Sequence, residues 1–378
     1  MSFLTIKPST LGDIDKIMGM FDNSRRIMRA NGNDNQWING YPSRDLVIND
    51  IHNGHSFIVT SREDVVGTFA FIIGRDQTYG YIENGKWEND LRPYGTLHRI
   101  ACAASQHGIF KTILDWCRRQ VTSIRIDTHK DNSIMLHLMG KHGFDYRGII
   151  YIADGSSRQA FQMLNTRTLC EPLKDYIEKN ILPQYAAFDS AHRQNHAQTV
   201  IDNSLELASH YNADKNMVYT IAAYHDLGLC EGRDRHHIVS GQILMNDKRL
   251  SQWFSESDLS VMAEAIEDHR ASSDNAPRSI YGKIVAEADR DIEPMKIIQR
   301  TVQYGMSHYP ELEKEAQWQR TLEHLHEKYA EGGYLKLWLP ESDNAARLAE
   351  LRRIIADKTE LRACFEFYYA TEKGETDT

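Results

Sequence analysis

The run TIAAYHDLGLC at residues 220–230 places a histidine–aspartate pair, His225 and Asp226, in a largely apolar stretch. A second histidine, His196, lies upstream in NHAQTVIDNSL, and an aspartate, Asp289, lies downstream in KIVAEADRD. Apolar residues recur with helical spacing around both histidines, which predicts largely buried helices. Buried histidine and aspartate side chains need partners, and one metal ion satisfies both types. The four residues therefore predict a site for Mn, Fe, Co, Ni, Zn or Mg.

Composition limits the classes of partner and the compartment. The chain has 378 residues, enough for two domains that each bury a core. Its net charge of −9 and its lack of a basic block argue against nucleic acid. The five cysteines are scattered without CxxC spacing, which is typical of reduced thiols. No run approaches the roughly 18 apolar residues of a membrane helix, and the first residues lack a secretory signal pattern. We therefore expect a cytoplasmic protein that does not bind membranes.

Strand and helix patterns alternate in the first part of the chain and give way to helices alone in the second. SFIVTS and VVGTFAFIIG predict a hairpin, and later strands are predicted in GTLHRIACAA, SIRIDTH and, as the last one, YRGIIYI. Helices are predicted in IFKTILDWCRRQ and SIMLHLMGKHGF. The expected fold class is an α+β N-terminal domain with a mostly antiparallel central sheet flanked by helices, followed by an all-α helical bundle.

The order of a histidine, a distant His-Asp pair and a later aspartate resembles the HD-domain metal-dependent phosphohydrolases. Companion segments of that family are HHIVSG, AIEDHRAS and KIVAEADRD. The resemblance implies that His196, His225, Asp226 and Asp289 bind a divalent ion, and that Asp226 also serves catalysis. It further implies that the substrate is a small phosphorylated metabolite or a nucleotide.

Several further polar residues are candidates for a second metal ion or for phosphate binding. The H-x-x-S-G spacing favours His237 over its neighbour His236. The arginines would match phosphate oxygens or form structural ion pairs. Lys283 and Glu287 are expected at solvated helix positions. The candidates are His192, His237, His269, Arg270 and Arg290. Because related HD proteins with six ligands are di-iron oxygenases, oxygenation stays open as an alternative to hydrolysis.

The N-terminal part resembles the GNAT acyltransferases over about residues 3–163. The resemblance is carried by GTLHRIACAA, the turn SQHGIF before a helix, and DTHKDNSIMLHLMGKHGFDYRG. It implies transfer of an acetyl group from acetyl-CoA to an amine acceptor. Ser105, Gly108 and Asn132 would bind CoA, because the pyrophosphate sits at a turn before a helix N-terminus. His98 and Glu83 are the candidate bases, ahead of Asp127 and His129.

Three residues depart from the GNAT pattern. Ser105 stands at the first position of the turn, where glutamine or arginine is usual. Phe110 stands where a small residue is expected, which predicts that its side chain obstructs the pyrophosphate. Met139 replaces the tyrosine that protonates the departing thiolate. The polar and aromatic loop NGNDNQWINGYPS is either an acceptor-binding loop or an ordered loop capped by Trp37. A degenerate GNAT domain that senses a ligand and regulates the hydrolase therefore stays open as an alternative to acetyl transfer.

These resemblances divide the chain into four parts. Residues 1–165 form the GNAT-like acyltransferase domain, and 166–184 form a linker helix that Pro172 starts. Residues 185–299 form the HD-type metal hydrolase domain. Residues 300–378 form a helical extension that packs on the HD domain or mediates self-association as a homo-oligomer.

Overall fold

A computed structural model describes residues 4–103, 107–187, 194–270, 275–290 and 292–374. The chain divides into two compact units. Unit 1 comprises Met1–Lys179 with two short later segments, Asp214–Asn216 and Asp247–Leu259. Unit 2 comprises Asn180–Ala213, Met217–Asn246 and Ser260–Thr378. The boundaries expected at residues 165, 184 and 299 stay predictions.

Unit 1 is built on a sheet that has seven strands within the described residues, in the order β1-β2-β3-β4-β5-β7-β6. Only β4 and β5 pair in parallel, so the sheet is mostly antiparallel, as the sequence predicts. The strands are β1 (Leu4–Pro8), β2 (Ser56–Ser61), β3 (Asp64–Ile73), β4 (Gly95–Cys102), β5 (Ser123–Thr128), β6 (Asp145–Tyr151) and β7 (Ser157–Leu164).

The predicted hairpin of β2 and β3 is confirmed. The prediction that YRGIIYI is the last strand is wrong, because β7 follows it and pairs with both β5 and β6. Strand β7 escaped detection because polar residues interrupt its apolar pattern. One of them, Gln162, is fully buried and bonds the backbone N–H and C=O of Glu88 at 2.9 Å each. Hydrogen bonding thus lets a polar side chain occupy the interior of a sheet.

Helices cover both faces of this sheet. Neighbouring residues of β2 show this, since Ile58 packs with helices α1 and α2 while Val59 packs with α3 and α4. Successive side chains of a strand point to opposite faces, so the two clusters lie on the two sides. The helices are α1 (Ile14–Ala30), α2 (Arg44–His52), α3 (Ile109–Arg118), α4 (Ser133–Lys141) and α5 (Glu171–Asn180).

Strands β4 and β5 pair along only a short part of their length. Their register holds two pairs, Gly95 with Ile124 and Thr96 with Arg125. Beyond that point β4 carries a bulge against β3, where Arg99 has a φ of 53°. A bulge bends its strand and ends regular pairing. The two strands therefore leave an opening between their C-terminal halves.

The rest of the described chain contains helices and no strand, which confirms the all-α prediction. Helices α11 to α14 share one apolar core, whose members include Ile298, Leu351 and Phe365. No helix among the described residues is both long and apolar enough to cross a membrane. The helices are α6 (Gln194–Ala208), α7 (Lys215–Tyr224), α8 (His236–Asn246), α9 (Glu256–Glu267), α10 (Ile280–Ala288), α11 (Pro294–His308), α12 (Lys314–Tyr329), α13 (Asn344–Ala356) and α14 (Lys358–Lys373).

Glu287 on helix α10 corrects one expectation. Its side chain is fully buried, not solvated. The carboxylate accepts a 2.9 Å hydrogen bond from the backbone N–H of Trp338, and the side-chain amide of Asn344 donates to the Glu287 carbonyl at 2.9 Å. The segment before α13 is thereby fixed to the helix that precedes Asp289.

Candidate metal centre and candidate acyl-transfer cavity

The four residues expected to bind a metal converge in unit 2. Nε2 of His196 lies 3.1 Å from Oδ1 of Asp289 and 3.8 Å from Oδ2 of Asp226. Nε2 of His225 lies 3.5 Å from Oδ2 of Asp226 and 3.7 Å from Oδ1 of Asp289. Residues that are far apart in sequence thus present imidazole nitrogens and carboxylate oxygens to one small volume.

The end of helix α7 positions the His-Asp pair. Helix α7 ends at Tyr224, and the buried hydroxyl of Tyr185 donates to the Ala223 carbonyl at 3.1 Å and accepts from the Asp226 N–H at 3.3 Å. The next turn packs closely on helix α8. A Cβ atom at Gly228 would lie 2.2 Å from the His236 carbonyl oxygen, so only glycine allows this approach.

A second group of nitrogens lies on the other side of Asp226. Nε2 atoms of His236 and His269 are 3.2 Å apart, and each lies 3.5 Å from Oδ1 of Asp226. Asp226 therefore belongs to two sets of ligand atoms, one with His196 and His225 and one with His236 and His269. Such a shared carboxylate is suited to two neighbouring ions.

The structure places His236 in this group, where the sequence spacing had favoured His237. The serine of the H-x-x-S-G pattern, Ser240, accepts a 2.8 Å hydrogen bond from the Gly228 N–H. It therefore marks the packing of α8 on the preceding turn and does not indicate which histidine faces Asp226. Nδ1 of His237 is buried and has no hydrogen-bond partner among the described residues.

Three of the histidines are anchored in the same way. Nδ1 contacts the backbone carbonyl three residues earlier in His225 (2.7 Å), His236 (2.7 Å) and His269 (2.5 Å). A carbonyl only accepts, so Nδ1 of each ring donates to the backbone, and Nε2 is the ring atom left to bind a cation. Nε2 of His225 is buried without a hydrogen-bond partner among the described residues. Nε2 atoms and carboxylate oxygens therefore face one another, and both are atom types that bind divalent cations.

The electrostatics of the cluster agree with that conclusion. Burial alone would raise the pKa of the Asp226 carboxyl, but His225 and His269 outweigh it and hold this pKa well below its ordinary value. Burial likewise opposes a low pKa at Asp289, which His196 and His225 lower. In His225 burial lowers the pKa, yet the neighbouring carboxylates of Asp226 and Asp289 raise it well above the ordinary value. Both carboxylates are therefore ionised and attract positive charge.

The remaining candidates for a second metal ion or for phosphate binding differ in their contacts. Arg270 donates to the Asp234 carbonyl at 2.7 Å, which fixes it near the start of α8. Arg290 is largely buried, with Nη1 3.7 Å from Glu287 and Nε without a hydrogen-bond partner among the described residues. Burial lowers the pKa of Arg290. His192 lies outside the described residues.

Unit 1 contains a cavity of about 520 Å³. This volume lies within the roughly 300–1,000 Å³ that is typical of small-molecule sites. Its wall includes Leu97 to Ile100 of β4 and Ile126 to Thr128 of β5, so it occupies the opening between the two strands. The loop residues Asn35, Gln36, Trp37 and Tyr41 also line it.

His98 lies in this cavity beside two aspartates. Its Nε2 lies 3.3 Å from Oδ2 of Asp76, and its Nδ1 lies 3.9 Å from Oδ1 of Asp127. The buried Tyr79 hydroxyl donates to the same Asp127 oxygen at 2.7 Å. The hydrogen bond with His98, together with N–H donation from Thr78, lowers the pKa of Asp76 to about 2 although burial opposes this. Burial raises the pKa of Tyr79 well above its ordinary value, so the phenol stays protonated.

The other residues predicted for acyl transfer cap or precede a helix, pair with a strand, or lie outside the described residues. Asn132 lines the cavity, but its side chain also caps helix α4 by accepting from the Met135 N–H at 3.2 Å. Gly108 precedes helix α3 with a φ of 81°. Glu83 pairs with Ile149 of β6, and its carboxylate accepts from the Tyr151 hydroxyl. The cavity wall includes His98 but not Glu83. Ser105 lies outside the described residues.

The expectation that Phe110 obstructs the pyrophosphate is wrong. Phe110 is 7% exposed and belongs to the core between α3 and the sheet. Met139 is fully buried in the same core. Helical geometry directs both side chains inward, which the turn pattern alone does not reveal.

Each of the two parts of the chain is similar to known proteins. Residues 193–292 match the family model of the HD domain. An acetyltransferase of the GNAT family from Streptococcus agalactiae is 30% identical, with 43% of this chain and 98% of that chain covered and a TM-score of 0.40. A GNAT acetyltransferase from Listeria monocytogenes is 17% identical, with coverage of 43% and 94% and a TM-score of 0.34. The structure of the NatC complex bound to Gag peptide and CoA is 14% identical, with coverage of 43% and 99% and a TM-score of 0.27. A search of curated proteins found no match.

The chain therefore joins two classes of protein. At 30% identity across 98% of the streptococcal relative, its N-terminal part belongs to the GNAT acetyltransferase family. Its C-terminal part carries an HD domain, which implies a divalent metal ion.

Proposed function

We propose that unit 2 hydrolyses a small phosphate ester or nucleotide with the help of divalent metal. The observation that carries this proposal is the set of three imidazoles whose Nδ1 atoms donate to backbone carbonyls, so that three Nε2 atoms converge with Asp226. His196, His225, Asp226 and Asp289 would hold one ion. His236 and His269 would hold a second together with Asp226.

Such ions acidify water and polarise a phosphoryl oxygen when bound. The chain's own residues supply the rest of the chemistry. Asp226 fixes the distance between the two ligand groups, because its two oxygens face different histidines. Arg290 would contribute positive charge to a bound phosphate, and its Nε lacks a hydrogen-bond partner among the described residues. His237 would contribute a ring nitrogen to the same phosphate.

Elemental analysis of the purified full chain, combined with a panel of phosphorylated metabolites and nucleotides, tests this proposal. We expect one or two divalent ions per chain and release of inorganic phosphate. Asp226→Asn should abolish both, while Asp202→Asn, a change at an exposed position of α6, should abolish neither. Full phosphatase activity in Asp226→Asn would refute the proposal. Iron as the bound metal, with oxygen uptake and no phosphate release, would favour the oxygenase.

We also propose that unit 1 transfers an acetyl group from acetyl-CoA to an amine. The observation that carries this second proposal is the cavity between β4 and β5, whose unpaired strand edges offer backbone N–H and C=O groups to an extended amide chain such as that of CoA. The N–H groups of the first turn of α3 suit the pyrophosphate. His98 would act as the base.

Thiol release from acetyl-CoA in the presence of an amine panel tests acyl transfer, and thermal unfolding with and without CoA tests binding. Transfer that disappears in His98→Gln would support the proposal. If CoA raises the unfolding temperature while every amine fails to release thiol, the domain is a ligand sensor and the transfer proposal is wrong.

A further inference from the structure

The cavity of unit 1 contains an arrangement of Asp76, His98, Asp127 and Tyr79 that the sequence did not indicate. Asp76 lies just after β3, and His98 lies in the middle of β4. Asp127 is near the end of β5, and Tyr79 is in the short 3-10 helix Gln77–Tyr79. Only the fold brings these four elements together.

The hydrogen bonds determine which nitrogen of His98 carries a proton. Asp76 accepts from the Thr78 N–H at 2.8 Å, and its other oxygen faces Nε2 of His98 at 3.3 Å. An ionised carboxylate only accepts hydrogen bonds, so Nε2 must donate. The neutral ring then has its lone pair at Nδ1, on the side of Asp127. Asp76 thus orients the ring and fixes its tautomer.

Asp127 is held separately. Tyr79 donates to Oδ1, and Tyr79 itself is fixed by a hydrogen bond from the Trp87 indole to its carbonyl at 2.8 Å and by ring stacking at 5.5 Å. No other hydrogen bond reaches the Asp127 carboxylate from the described residues, so Oδ2 remains available to a ligand. Nδ1 of His98 and the Asp127 carboxylate therefore lie together at the cavity wall.

The charge of the wall selects the ligand. Asp76, Asp127 and Asp154 line the cavity. Of its two arginines, Arg99 pairs with Asp50 at 2.8 Å, whereas Arg158 donates to neutral oxygens of Ser156 and Ser157 at 2.9 Å each and keeps its charge, so the three aspartates still outweigh it. Trp37 and Tyr41 add aromatic faces, which attract cations.

We propose that this cavity binds the ammonium group of a small cationic acceptor at Asp127, with His98 as its base and Asp76 as the residue that positions His98. The inference rests on the proposed acyl transfer and assigns the acceptor class and the residues that recognise it.

The reaction balances with these groups. One ammonium proton passes to Nδ1 of His98, and the nitrogen lone pair that this exposes forms a bond to the thioester carbonyl carbon. The carbon–sulfur bond breaks, and its electron pair leaves on sulfur. The second ammonium proton reaches the thiolate through water, and the third stays in the amide product. His98 returns its proton to solvent.

Nuclear magnetic resonance of the full chain with ¹⁵N-labelled histidine tests the tautomer without any turnover. The ring signals that vanish in His98→Gln identify His98. We expect the Nε2–H tautomer in the wild type and a shift to Nδ1–H in Asp76→Asn, because an amide group can donate to Nε2. An Nδ1–H tautomer in the wild type would overturn the positioning role of Asp76.

Titration with butylammonium and with 1-butanol tests the ammonium site by the same signals. We expect butylammonium alone to move the His98 signals, and Asp127→Asn to weaken that binding at least about tenfold, as expected for loss of a charge-assisted contact. Asp145→Asn, on the exposed edge of β6, should bind like the wild type. Equal responses to amine and alcohol, or unchanged binding in Asp127→Asn, would refute the ammonium site.

Steady-state kinetics separates this inference from the proposed function. If an amine is acetylated, Asp76→Asn should lower kcat on the order of 10²–10⁴-fold with an unchanged KM for acetyl-CoA, in line with tautomer loss in other histidine dyads. Asp127→Asn should mainly raise the amine KM. If both variants transfer acetyl groups like the wild type, the inference is wrong, but the proposed acyl transfer still holds. Selective ammonium binding without transfer defeats acyl transfer and leaves the binding site standing.

Discussion

Histidine and aspartate build both sites of this chain, but the hydrogen bonds around them differ. In unit 2, His225, His236 and His269 donate from Nδ1 to their own backbone and present Nε2 to Asp226. In unit 1, His98 has one carboxylate at each ring nitrogen, 3.3 Å and 3.9 Å away. The first arrangement directs Nε2 atoms and carboxylates at one another and so attracts a cation, whereas the second places a carboxylate at each nitrogen of one ring, which suits proton transfer. The same residue types therefore indicate a metal centre in one unit and proton transfer in the other.

The strongest test of this comparison is the loss of a ligand. His225→Ala should lower metal affinity on the order of 10³-fold or more, because even groups that only support a ligand contribute about 10–100-fold. Isothermal titration with Mn²⁺ would measure this. His98→Ala serves as the matched control and should bind Mn²⁺ like the wild type. Loss of Mn²⁺ binding in both variants would contradict the division into a metal centre and a metal-free site.

Phe110→Ala sharpens the description of unit 1. Because Phe110 is a core residue, its truncation should cost about 3–5 kcal/mol of the free energy of unfolding, through lost burial and a cavity. Acetyl-CoA binding should not improve. Denaturant unfolding and calorimetry would measure the two quantities. Phe367→Ala, at a side chain that is 59% exposed, should change stability by less than about 0.5 kcal/mol. Tighter CoA binding with unchanged stability would restore the view that Phe110 blocks the turn.

A smaller effect, on the metal content, should distinguish His236 from its neighbour His237. His236→Ala should reduce the metal content from two ions to one, or weaken the second ion about 10–100-fold, since one nitrogen of that group is lost. His237→Ala should leave the metal content unchanged and weaken phosphate binding. Elemental analysis and inhibition by inorganic phosphate would distinguish the two. The reverse result would return His237 to the ligand set.

The sequence predicted the fold class of both parts because strand alternation and helical spacing are local signals. It also indicated His196, His225, Asp226 and Asp289, whose residue types and order match the HD pattern. It favoured His237 over His236 from the H-x-x-S-G spacing, but which of the two faces Asp226 depends on how Gly228 packs against helix α8.

Asp76 was missed for a related reason. Its partner His98 lies on another strand, and a lone aspartate after a strand is ordinary in sequence. Strand β7 was missed because buried glutamine hides its apolar pattern. Each of these errors concerns a contact between separate elements of the fold, which local sequence patterns do not report.

The contacts of Glu287 bear on where this chain can be cut into fragments. Its buried carboxylate and carbonyl bind Trp338 and Asn344, although the HD match ends at residue 292. A fragment trimmed to that match would leave the carboxylate without these donors, two residues before Asp289. A buried carboxylate that loses its donors is costly. We therefore expect the last helices and the metal centre to be retained or lost together when such chains recombine.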